Sequence, residues 1–119
     1  MVAKWFEKSE QEKQVAILLM EKGYYPEACF HSHMAVELRF KGYILQRTGS
    51  ILYTHSLKRL LQEISKLHGV AMYDELLDCA NYLSMLYTGS RYPEESFIDL
   101  ERQEGEKCVK CMEKLLNSI

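Results

Sequence analysis

Apolar positions along this chain recur at helical spacing, and no segment alternates apolar and polar residues as a half-buried strand would. Five helical stretches emerge. The first covers residues 2–22: Ala16, Leu19 and Met20 share a face with Val15 and Leu18 beside it, and Glu and Lys crowd the opposite side. Gly23 is placed to close that helix, and Tyr24-Tyr25-Pro26 to turn the chain. Pro26 suits the first turn of a second helix, where its missing N–H costs nothing. That helix, residues 26–47, carries Ala28, Phe30, Met34, Ala35, Leu38, Ile44 and Leu45. So broad an apolar surface predicts a central helix with neighbours on several sides.

Thr48-Gly49-Ser50 stops the second helix, and Ile51-Leu52-Tyr53-Thr54 reads as a loop. The third helix starts at His55 or Ser56, carries the stripe Leu57, Leu60, Leu61 and Ile64, and closes at His68-Gly69. The fourth covers residues 71–87, with Leu76, Leu77, Ala80, Leu83 and Leu86 inward, until Thr88-Gly89-Ser90 breaks it and Arg91-Tyr92-Pro93 forms a loop. The last runs from Glu94 or Ser96 to Asn117, its inner face made of Ile98 and Glu101 or Arg102, then Cys108, Cys111, Met112, Leu115 and Leu116. There is no internal repeat and no low-complexity linker. Short connections favour antiparallel neighbours. The pattern therefore predicts an all-α, five-helix up-and-down bundle in one domain spanning residues 1–119.

Composition narrows the function classes. A chain of 119 residues makes one domain and buries enough apolar surface to fold without metals or disulfides. The formal charge of −2 argues against an electrostatic grip on nucleic acid across the whole surface, because phosphate binding needs clustered Lys and Arg; a local basic pocket stays open. The start, Met1-Val2-Ala3-Lys4-Trp5-Phe6-Glu7-Lys8, is charged and lacks the apolar segment of an export signal. No apolar run approaches the roughly 18 residues that a membrane span requires. These features predict a cytoplasmic protein, in which Cys29, Cys79, Cys108 and Cys111 are free thiols. Cys108 and Cys111 form a lone Cys-x-x-Cys, which without a second pair or a strand–helix context reads as two small residues on a buried helix face.

Several polar residues are candidates for chemistry. Glu37 and Lys41 are four apart and face one side; periodicity alone reads them as a surface ion pair. His33 lies one turn before Glu37, so His33, Glu37 and Lys41 form a stripe that can line a polar groove. His31 and His33 are two apart and diverge on a helix, which predicts no metal site and no cofactor. His55 stands at a helix start, where a histidine caps or packs, or else presents a donor to an anion. In Arg91-Tyr92-Pro93, Arg91 suits bidentate phosphate binding and Tyr92 base stacking; equally, the arginine caps the end of the fourth helix and the tyrosine plugs the core. Tyr87 stands just before this loop as a further groove-lining candidate. Most of the eight tyrosines read as packing or interface residues.

Three segments in order resemble one known family. The stretch Tyr25-Pro26-Glu27-Ala28-Cys29-Phe30-His31-Ser32-His33-Met34-Ala35-Val36-Glu37-Leu38-Arg39-Phe40-Lys41 resembles the HEPN signature, with its Ala-x-Glu and a Lys four residues later. Thr54-His55-Ser56-Leu57 resembles that family's Thr-His-x-Leu entry to its third helix, and Tyr87-Thr88-Gly89-Ser90-Arg91-Tyr92-Pro93-Glu94 its Arg-Tyr-Pro loop. The resemblance implies a bundle of HEPN type that forms a homodimer, here through helices two and four. It implies nucleotide or RNA-phosphate binding in a cleft lined by Glu37, Lys41, His55, Arg91 and Tyr92, and a minimal nucleotidyltransferase partner. Other branches are ribonucleases, including toxins of toxin–antitoxin pairs, with Arg followed four to six residues later by His. No His follows Arg91 or Arg102 here, and seven residues separate Arg47 from His55. The resemblance therefore points to a non-catalytic module. A divergent ribonuclease toxin using Arg91 and His55, and a ligand-free protein-interaction domain, are the alternatives.

Overall fold

A computed structural model describes residues 2–68, 74–91 and 100–119, with the side chains of residues 88–91 left aside. Five helices make up the described chain: α1 (Val2–Glu21), α2 (Tyr25–Thr48), α3 (Leu57–His68), α4 (Asp74–Arg91) and α5 (Arg102–Leu116). α2 is the central helix and packs against all four others, as its broad apolar surface implies. α5 packs on α1, α2 and α4, while α3 closes the side between α2 and α4. No described helix is long and apolar enough to cross a membrane.

The turns explain the boundaries. Gly23 has φ +84°, and Tyr24 N–H donates to Leu19 O at 2.9 Å while Gly23 N–H donates to Met20 O at 3.2 Å. This crossed pair of bonds satisfies the last carbonyls of α1 and needs a residue tolerant of the left-handed region. Gly49 closes α2 in the same region, at φ 77°, with its N–H on Leu45 O. At the α1–α2 crossing the helices approach so closely that a Cβ on Gly42 would sit 2.8 Å from Trp5 Cβ.

The predicted core faces are largely buried. Leu57, Leu60, Leu61 and Ile64 of α3, Ala80, Leu83 and Leu86 of α4, and Cys108, Cys111, Met112, Leu115 and Leu116 of α5 all belong to the core. α1 differs: Ala16 is buried, but Val15 and Leu18 are exposed. Two boundaries also differ. Thr88-Gly89-Ser90 does not break α4, whose backbone stays helical to Arg91; one glycine in a helix costs only about 1 kcal/mol relative to alanine, less than the packing of the Leu83–Leu86 face supplies. α5 begins at Arg102, because Glu101 is its N-cap and donates its backbone N–H to Glu104 Oε1 at 2.7 Å. Glu101 and Arg102 are consequently exposed, and the inner face starts at Gly105. Ile98, the expected helix start at residues 94–96, and residues 71–73 lie outside the described residues.

The cysteines are not free thiols. Cys29 of α2 is bonded to Cys108 of α5, and Cys79 of α4 to Cys111 of α5. Helical spacing puts Cys108 and Cys111 on one buried face, and each meets a cysteine from a different helix. α5 is thus covalently tied to both α2 and α4. Composition points the other way because an inferred compartment says nothing of which side chains the fold brings together.

Candidate functional site

Residues 33, 37 and 41 stand one turn apart on α2, so their side chains line one stripe of the helix. The stripe faces inward: His33 is 1 % exposed and Glu37 3 % exposed. Two polar groups on the inner face of the central helix must find partners or remain costly. Glu37 finds two at one oxygen. Lys41 Nζ donates to Glu37 Oε2 at 2.9 Å, and His55 Nδ1 lies 3.0 Å from the same atom. The other oxygen, Oε1, lies 3.5 Å from His33 Nδ1, too far for a good hydrogen bond, and neither atom has another partner.

The pair Glu37–Lys41 is therefore not the surface ion pair that periodicity suggests. Lys41 is itself largely covered, with its side chain 11 % exposed. Taken out of water, each ion depends on the other, and removing one leaves an uncompensated buried charge.

His55 comes from the segment before α3 and reaches back to α2. It does not cap α3: Ser56 Oγ accepts from Arg59 N–H at 3.2 Å, and Thr54 Oγ1 accepts from Ser56 N–H at 3.1 Å. With the helix start satisfied by these hydroxyls, the imidazole is left for Glu37. Its side chain is 71 % exposed, so it forms the outer edge of the cluster while Glu37 is its floor.

α4 supplies the aromatic wall. Tyr87 stacks on His33 with ring centroids 4.0 Å apart and planes 20° apart, and on Phe30 at 5.2 Å and 15°. The His55 ring lies 6.4 Å from Tyr87. Burial holds His33 down to a pKa of about 4, outweighing the neighbouring Glu37 carboxylate, which raises it; His55 and Lys41 push the same way as burial, while the His55 main chain adds a hydrogen-bonding contribution in the opposite direction. His33 is thus neutral near pH 7, and its ring acts as a packing surface between Glu37 and Tyr87.

Of the residues singled out from sequence, His33, Glu37, Lys41, His55 and Tyr87 come together from three elements. Arg91 ends the backbone of α4, but its side chain lies outside the described residues, as does Tyr92. His31 diverges from His33 and pairs with Glu12 of α1. Among the described residues no three His, Cys, Asp or Glu side chains are arranged to hold a metal ion. Periodicity reads Phe30 as core alone; its position three residues before His33 on the same face is the available sign that it shares the Tyr87 stack.

Chemically, a cluster of this kind can offer Lys41 N–H donors and the His55 ring to an anion or a hydrogen-bonding group, with an aromatic face beside them. Comparison with known proteins sets it in context. The HEPN domain model matches residues 2–119. Among solved structures, TT1696 from Thermus thermophilus is similar, with 26% identity and a TM-score of 0.86 over 98% of this chain and 93% of that one. An archaeal HEPN homologue, ST0689, matches with 28% identity and a TM-score of 0.77 over 99% of this chain and 93% of its own. No curated protein matches the chain.

Proposed function

The chain belongs to the HEPN domain family, and from that premise we propose that it is a nucleotide- or RNA-phosphate-binding module, non-catalytic by itself, that acts beside a minimal nucleotidyltransferase. One observation carries the reading: Lys41 of α2 and His55 from the segment before α3 converge on a single oxygen of the buried Glu37, beside the stack that Tyr87 of α4 makes with His33. Buried ionic groups are expensive to retain. Lys41 offers further N–H donors to a phosphate and His55 stands at the rim; Arg91 and Tyr92, which follow Tyr87 closely in the sequence, are assigned the added phosphate and base contacts in this reading. No metal or cofactor enters this reading.

The module would act as a homodimer through α2 and α4. α4 is the better exposed of the two, with Met85 54 % exposed, whereas α2 packs against every other helix. Sedimentation equilibrium checks the dimer, and co-purification from the native source checks the partner; a monomer, or a clean dimer with nothing attached, counts against each in turn. Ligand binding is tested by thermal unfolding against nucleotides and short RNAs, with Arg91→Ala and Lys41→Ala alongside. A ligand at about 100 times its dissociation constant adds roughly 2.7 kcal/mol. A shift of several degrees that the variants abolish supports the reading, and no shift with any of these ligands ends it.

The ribonuclease alternative draws on one feature: His55 is exposed and is held by a buried carboxylate, the arrangement of an oriented proton acceptor. Growth arrest on expression, relieved by His55→Ala, together with RNA cleavage by the pure protein, would favour it. A harmless, inactive protein would exclude it.

A further inference from the structure

Two disulfides leave α5, and they differ in how deeply they lie. Cys29 and Cys108 have no exposed surface, whereas Cys79 and Cys111 keep 7 % and 4 %. Exchange starts when a thiolate reaches a bridge sulfur, so access decides which bond reacts first. The Cys29–Cys108 bond is closed off in the core and is reached only when α2 and α5 part, a large opening. The Cys79–Cys111 bond lies nearer the surface, on the α4–α5 seam, where a small local opening admits a reductant.

Little else of strength joins the outer edge of that seam. Glu75, Cys79 and Tyr82 of α4 meet Lys114, Cys111 and Lys107 of α5 in antiparallel order. The first contact is an ion pair between exposed side chains, and the last places Lys107 Nζ 4.2 Å from the Tyr82 ring centroid. Pairs of this kind at a surface hold weakly, so the disulfide between them is the strong tie. It acts on the helix that carries Tyr87, which lies about 12 Å further along α4 at 1.5 Å per residue. The inner bridge acts on the other helix of the stack, since Cys29 stands one turn before His33 on α2. The spacing of α2 and α4, read at the Tyr87–His33 contact, is thus set from both sides through α5.

We propose that Cys79–Cys111 is a reversible thiol–disulfide exchange site for a small dithiol, and that opening it lets α4 shift against α2 at the Tyr87–His33 stack. A thiolate of the dithiol attacks Cys79 Sγ, on the more exposed of the two residues; the S–S bond breaks, and Cys111 leaves as a thiolate that takes up a proton. The second thiol of the reagent then attacks the mixed disulfide, closes a cyclic disulfide and releases Cys79 as a thiol. Two electrons and two protons pass from the dithiol to the protein. Cys29–Cys108 stays closed, so α5 remains bonded to α2 while α4 is held by non-covalent packing alone. The switch needs no ligand and stands apart from the nucleotide-binding reading above.

The test treats the full chain with dithiothreitol, quenches samples by alkylation at intervals and maps the alkylated cysteines by mass spectrometry. Cys79 and Cys111 should be alkylated together, on the order of tenfold faster than Cys29 and Cys108, so that a two-thiol species accumulates. In that species the NMR signals of the His33 ring, which lies against the face of Tyr87, should move, and oxidised dithiothreitol should return them. Loss of both bridges in one step, or of Cys29–Cys108 first, overturns the exchange site. His33 ring signals that stay in place in the two-thiol species overturn the coupling to the stack. Both readouts come from the wild-type chain, so neither needs a variant to fold. The double variant Cys79→Ala, Cys111→Ala should show the moved His33 signals before any reductant is added; signals at the wild-type positions would count against the coupling in the same way.

Discussion

Acid should unfold this protein through His33. The native ring is held at a pKa of about 4 against an ordinary value of 6.5, and the first cause is burial. Between those values the unfolded chain binds a proton at this position that the native chain refuses. Stability therefore rises with pH across that window: the contribution is fully present above pH 6.5 and is lost as pH falls toward about 4. At about 1.4 kcal/mol for each pH unit between the two values, the linkage amounts to roughly 2 kcal/mol by pH 5 and about 3 kcal/mol by pH 4. That is a large fraction of the roughly 5–15 kcal/mol typical of a domain. The control is His33→Phe, which keeps an aromatic ring against Tyr87 and cannot titrate. Urea unfolding of both proteins at pH 7.5, 6, 5 and 4 isolates the contribution, because every carboxylate is common to the pair. The wild type should lose about 3 kcal/mol more than the variant over this range. Parallel pH profiles, or an NMR titration placing His33 near 6.5, would refute the argument that this ring is buried and neutral.

Other substitutions probe the remaining parts of the account. Lys41→Met strips the cation from a carboxylate that is 3 % exposed and should cost about 3 kcal/mol or more in urea unfolding at pH 7, with His55→Ala costing less because its ring is largely in solvent. Gly42→Ala places a Cβ 2.8 Å from Trp5 Cβ, so α1 must move; a loss of about 1–3 kcal/mol is expected, and no loss would mean that the α1–α2 crossing is looser than described. Peptide mapping without reductant should recover Cys29 linked to Cys108 and Cys79 linked to Cys111, and reduction should lower the melting temperature by roughly 10 °C or more, since each bond closes a long loop. Four free thiols in the native protein would remove the covalent tie on α5.

How much of this is legible in the sequence depends on whether a property is local. The apolar stripes of α3 and α5 and the central place of α2 follow from spacing, and the structure buries those residues. Gly23 is where a left-handed cap is required. The end of α4 escapes a local reading because Thr88-Gly89-Ser90 carries only a weak penalty, which packing overrides. The start of α5 escapes it because Glu101 and Glu104 form a capping pair that also resembles ordinary helix-surface charge. At the site, the identities of His33, Glu37, Lys41, His55 and Tyr87 come from motif positions. The covering of His33, Glu37 and Lys41 does not: a stripe of polar residues on a helix reads as a solvated face unless one knows that α4 lies over it. The disulfides are illegible for the same reason, since partners 79 and 32 residues apart are joined only by the tertiary fold.

The central claim is that one polar cluster at the junction of α2, α4 and the segment before α3 is the ligand site. Backbone ¹H–¹⁵N spectra recorded while short single-stranded RNA is titrated in test it most directly. Saturable shifts should concentrate at His33, Glu37, Lys41, His55 and Tyr87. Shifts confined to another face, or none at saturating RNA, would contradict the claim.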